Sequence, residues 1–145
     1  MRSRWRFPAV AALLLLALTA PLRGQSFGFP WWRDAQFQRE LSLTADQSGK
    51  IDAVFQKNIP TLREKRAELD AQEEELSRMI AANADEASVI KQVDRVEAIR
   101  SHMNKMRTLM LLRMRQILSP EQRVKLNQKY EQWEKDHRRD GRGKH

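Results

Sequence analysis

The chain has 145 residues, with 27 basic against 19 acidic, a formal net charge of +8, three histidines and no cysteine. A chain of this length is expected to form one domain. Without cysteine it has no disulfide framework, no thiolate metal site and no cysteine nucleophile.

Arg2, Arg4 and Arg6 precede an apolar run from Ala9 to Ala20. A basic start followed by an apolar core of this length reads as a secretory signal peptide and is too short to span a bilayer comfortably. Leu18-Thr19-Ala20 is one candidate cleavage triplet. Pro21 disfavours it, which leaves Gly24 or Gln25 as the other candidate. We therefore assign residues 1–25 to the signal, 26–136 to the folded domain and 137–145 to a basic, disordered tail. Removal of residues 1–24 takes away Arg2, Arg4, Arg6 and Arg23 and no acid, leaving 23 basic residues against 19 acidic. That excess is too mild to imply nucleic acid. Once the signal is cleaved, no stable membrane insertion is expected.

Phe27, Phe29, Trp31 and Trp32 form an aromatic cluster, and Trp31 to Leu41 reads as a short helix. From Ala45 to about Asn83, Ile51, Phe55, Ile59, Leu62, Leu69, Leu76 and Ile80 recur in three- and four-residue steps, with Arg66 and Glu73 filling the gaps. This is the stripe of a long amphipathic helix. Pro60 is expected to kink or break it, and the reading taken is a bent long helix. Asp85 reads as the N-cap of the next helix, which runs to about Leu118 on Val89, Val93, Val96, Ile99, Met103, Met106, Met110, Met114 and Ile117. Leu109, Leu111, Leu112 and Leu118 widen its last turns until they are apolar nearly all round, a surface that asks to be covered on several sides. Pro120 to about Asp136 is a fourth helix. No strand-like alternation of useful length occurs. The predicted fold is all-α: a long antiparallel helical hairpin flanked by short helices. So thin a domain buries little surface alone, and dimerisation is expected.

One phrase occurs twice. Leu43-Thr44-Ala45-Asp46-Gln47 and Leu118-Ser119-Pro120-Glu121-Gln122 both read Leu-(Thr/Ser)-x-x-Gln. Each is a capping box, in which the hydroxyl of Thr44 or Ser119 accepts from the N–H three residues on, and Gln47 or Gln122 reaches back to the cap's own N–H. Pro120 suits a first helical residue, where its missing N–H costs nothing. With these two boxes the chain resembles the Spy/CpxP family of periplasmic LTxxQ-motif proteins, related to ZraP-like and CnrX-like metal-responsive proteins. The second box departs from the strict pattern in having Ser119 for Thr. The resemblance implies an antiparallel, cradle-shaped homodimer of hairpins. It further implies a periplasmic, ATP-independent chaperone or envelope-stress accessory protein that binds unfolded proteins or the periplasmic domain of a sensor kinase. The alternative it carries is a heavy-metal-responsive sensor or metal-resistance protein holding zinc or another divalent ion.

Catalytic constellations are lacking: no Ser/His/acid order, glycine-rich phosphate loop or HExxH motif occurs, and the chain is read as non-enzymatic. The run Glu73-Glu74-Glu75 places its carboxylates in different directions on a helix and reads as a solvated face. No cofactor is expected. His102 is the one candidate metal ligand on a long helix, without a second histidine three or four residues away, and reads better as a surface residue. Met103, Met106, Met110 and Met114 offer soft thioethers to Cu(I), but they continue the apolar stripe in phase and read better as the seam. The candidate client-binding surface combines Arg63, Arg66, Arg100 and Arg107 with Met103 and Met110. There flexible thioethers and basic side chains with apolar stems would hold a partly unfolded chain without selecting a sequence.

Overall fold

The computed structural model describes residues 29–142, in which a 3-10 turn, Trp31–Arg33, is followed by α1 (Ala35–Glu40), α2 (Ala45–Ala81), α3 (Glu86–Gln116) and α4 (Pro120–Arg142). No strand occurs among these residues, and none of their helices is long and apolar enough to cross a membrane. The signal-peptide assignment and Phe27 lie outside the described residues.

The two long helices are the arms of a hairpin closed by residues 82–85. Its turn is built from backbone chemistry. Asn83 takes φ 53°, and Ala84 N–H bonds to Met79 O (3.0 Å) while Asn83 N–H bonds to Ile80 O (3.1 Å). This is a Schellman stop with Asn in place of the usual glycine. Asp85 then starts α3 as its sequence predicts, accepting from Ser88 N–H at 3.0 Å. The same stop ends α1, where Ser42 takes φ 52° and Leu43 N–H reaches Gln38 O at 2.9 Å.

Two elements depart from the sequence reading, the first helix and the end of the last. The first helix is split at Asp34, whose carboxylate accepts from Gln36 N–H and Phe37 N–H and so caps a separate α1. α2, by contrast, is a single helix through Pro60, as the long-helix reading expects. Pro60 and Gln56, whose carbonyl loses its intrahelical partner, are both exposed residues, so the bond is lost on the solvent side and not in the core. α4 continues to Arg142, past the point near Asp136 where its apolar pattern stops. Pairs one turn apart, Gln132–Asp136 and Glu134–Arg138, sustain the helix where core residues do not.

Burial is concentrated at the open end of the hairpin. Trp31, Trp32, Leu41, Ile51, Leu62, Met110, Met114, Leu118 and Leu126 form the main core, with Phe37, Tyr130 and Trp133 packed on it. Lys129 ties α4 to α1 through Glu40 and lies over the Phe37 ring, 4.6 Å from its centre. A smaller cluster of Leu69, Val96 and Met103 holds the middle of the hairpin, and beyond it the stripe comes uncovered. Ile80 is 63% exposed and Ile90 53%. The last turns of α3 are not covered all round either: Leu112 is 50% exposed and Leu109 38%.

Candidate functional site

The two Leu-(Thr/Ser)-x-x-Gln boxes meet. Thr44 Oγ1 accepts from Gln47 N–H (3.0 Å) and Ser119 Oγ from Gln122 N–H (3.2 Å). The glutamine side chains return the bond, Gln47 Oε1 accepting from Thr44 N–H (3.2 Å) and Gln122 Oε1 from Ser119 N–H (2.9 Å). Each amide then donates to the other. Gln47 Nε2 reaches Gln122 Oε1 at 2.8 Å, and Gln122 Nε2 reaches Gln47 Oε1 at 2.9 Å. The remaining donors close on backbone: Gln47 Nε2 on Ile117 O (3.2 Å), and Gln122 Nε2 on Leu41 O and Ser42 O (both 3.1 Å). The boxes therefore do more than cap. They tie the starts of α2 and α4 and the end of α1 into one knot at the base of the hairpin, above buried Leu41 and Leu118.

A second tie fixes the N-terminal turn. Asp52 Oδ1 accepts from the Trp32 indole N–H at 2.8 Å and from Arg33 Nε at 2.7 Å, while the Trp32 ring packs on Phe55 with centroids 4.9 Å apart. The indole hydrogen bond holds the Asp52 carboxyl below its ordinary range. Burial opposes it, and the Arg33 guanidinium adds to it. A depressed acid stabilises the fold fully above the ordinary carboxylate value and loses that contribution as pH falls through its folded value. Acid titration followed by tryptophan fluorescence should therefore show a step below the ordinary carboxylate range, and Asp52→Asn should abolish it.

Between α2 and α3, next to the main core, lies a groove of about 330 Å³. Its floor is Ile59, Leu62, Met110 and Leu111, and its rim is Arg63, Arg66 and Arg107. Arg66 pairs with Asp70 at 3.0 Å, whereas among the described residues Arg63 and Arg107 have no acidic partner. Four of the six residues proposed from sequence for client binding are thus brought to one apolar groove: Arg63, Arg66, Arg107 and Met110. The other two are elsewhere. Met103 is buried against Leu69 and Val96. Arg100 is drawn across the hairpin to Glu73 and along its own helix to Glu97 (2.6 Å), which raises its already high pKa. Of the residues that complete the floor, Ile59 and Leu62 were legible only as stripe residues and Leu111 only as part of the widened apolar end of α3.

The donors for a metal do not converge. His102 is exposed on α3, and His137 sits on the Trp133 ring (centroids 4.2 Å) with Nδ1 against Trp133 O. Among the described residues no group of three or more His, Asp or Glu side chains is placed to hold an ion. The four methionines are spent on packing: Met110 and Met114 in the main core with Met106 against it, Met103 in the smaller cluster. His145 lies outside the described residues, and residues 1–28 contain no His, Cys, Asp or Glu. The described residues of one chain do not fit a resident metal site, which needs several such ligands at one point.

A family model for heavy-metal resistance matches residues 9–125. No curated protein and no solved structure gives a match.

Proposed function

The chain belongs to the heavy-metal-resistance family, part of the Spy/CpxP-like LTxxQ helical proteins, and from that premise we propose that it is a periplasmic holding chaperone that needs no bound metal. The observation that carries this reading is the groove between α2 and α3, with its apolar floor and two rim arginines that have no acidic partner among the described residues. An apolar floor takes up side chains that an unfolded protein exposes. Arg63 and Arg107 attract the acidic residues that flank such side chains, with contacts weak enough to release and sensitive to salt. Periplasmic residence is supported by the family, whose members are typically periplasmic, and by the basic start and apolar run of residues 2–20. In this reading the working unit is a homodimer, because Leu109 and Leu112 stay open on the single chain.

The family description, heavy-metal resistance, favours a second reading, a metal-resistance protein or heavy-metal-responsive sensor that binds the ion. The scattered donor set opposes it. A light-scattering assay separates the two. Chain lacking residues 1–25 should suppress aggregation of a chemically denatured, unrelated protein at near-stoichiometric ratio, less well at high salt. Absence of protection would contradict the chaperone reading.

A further inference from the structure

Among the described residues Gln92 alone is both polar and buried, at 4% exposure. It stands one turn before Val96 on the seam of α3, where an apolar residue would pack without desolvating an amide. Its Nε2 donates to Gln72 O and Gln72 Oε1, both at 2.9 Å. Its own Oε1 has no donor among the described residues, and since every buried side-chain polar atom there is satisfied, this oxygen keeps contact with solvent; Gln92 lines the cleft beside it.

That cleft, of about 630 Å³, is lined by Gln72, Glu75 and Arg78 of α2 and by Lys91, Gln92 and Arg95 of α3. Helical phase sets it across the seam from the arginine groove: measured from Leu69, Arg66 projects about 60° to one side and Glu75 about 120° to the other. The chemistry differs accordingly. The arginine groove has an aliphatic floor, whereas the cleft offers amides and charges. Arg78 is held by Glu74 and Glu75, while Lys91 and Arg95, one turn apart on α3, have no acidic partner among the described residues. Two free cations receive one oxyanion. The Glu75 carboxylate repels a second anion at the far wall. The open Gln92 oxygen accepts from a hydroxyl, and the volume lies within the range of about 300–1,000 Å³ typical of small-ligand sites.

We propose that this cleft binds an anionic sugar, a saccharide carrying one phosphate or carboxylate beside free hydroxyls, with the oxyanion on Lys91 and Arg95 and a hydroxyl on Gln92. The test is calorimetric titration of the chain lacking residues 1–25 with glucose 1-phosphate, glucuronate, inorganic phosphate and glucose. At least one anionic sugar should bind about tenfold tighter than either inorganic phosphate or glucose, and the better of the two identifies the oxyanion. Lys91→Ala with Arg95→Ala should weaken it about tenfold. Gln92→Leu should weaken it about fivefold, the loss of one hydrogen bond, while leaving the melting temperature unchanged or raised. Loss of binding in a stable protein separates a ligand contact from a structural role. Inorganic phosphate binding as tightly as the sugars, indifference to Gln92→Leu, or no saturable binding would overturn the proposal.

Discussion

Gln122→Ala is expected to lower the free energy of unfolding by about 3 kcal/mol, a large loss for a residue outside the apolar core. The side chain accepts from Ser119 N–H and from Gln47, and donates to Gln47 and to the carbonyls that end α1. Its removal takes away the return half of the α4 capping box and strands partly buried partners, each loss being on the order of 1 kcal/mol. Gln47→Ala should cost somewhat less, because its amide closes on one carbonyl, that of Ile117. The discriminating quantity is the double-mutant cycle. If the boxes form one knot, the second substitution costs less once the first is made, with a coupling of about 1 kcal/mol by urea unfolding. Additive losses would mean two independent helix caps.

The second large effect is functional. Arg63→Glu combined with Arg107→Glu should reduce protection of an aggregating client about tenfold, as like charges now meet the acidic flanks of the client. Both residues are exposed and have no ion-pair partner among the described residues, so the melting temperature should scarcely move. Arg100→Glu should behave the other way. It breaks the bridge to Glu73 and places three carboxylates together, costing stability. Equal loss of protection in both variants would show that net charge, and not the groove, decides holding.

Much of this architecture was legible because its signals are local. The caps at Thr44, Ser119 and Asp85 and the stripe of α3 are patterns within a few residues, and each formed as its chemistry directs. What was not legible is what two distant segments do on meeting. Gln47 and Gln122 each read completely as the far half of a capping box, and nothing in either motif signals that its amide has donors left for the other. Arg100 and Arg107 are seven residues apart, nearly the same helical phase, yet one is neutralised by Glu73 across the hairpin and the other rims the groove. Met103 and Met110 part in the same way: Leu69 covers one, and the other lies beside the groove. Gln92 gave no signal at all, since one glutamine among charged residues looks solvated until its neighbours are placed. Toward the tip the stripe predicts burial for Ile80 and Val93, yet both side chains are exposed.

Holding without metal is the central property, and one sample tests it. The chain lacking residues 1–25 is dialysed against a strong chelator, assayed for metal content, and tested against a denatured client before and after addition of zinc or copper. The account predicts metal-free protein with full protection that neither ion improves. Protection that disappears with the chelator and returns with a stoichiometric ion would contradict it.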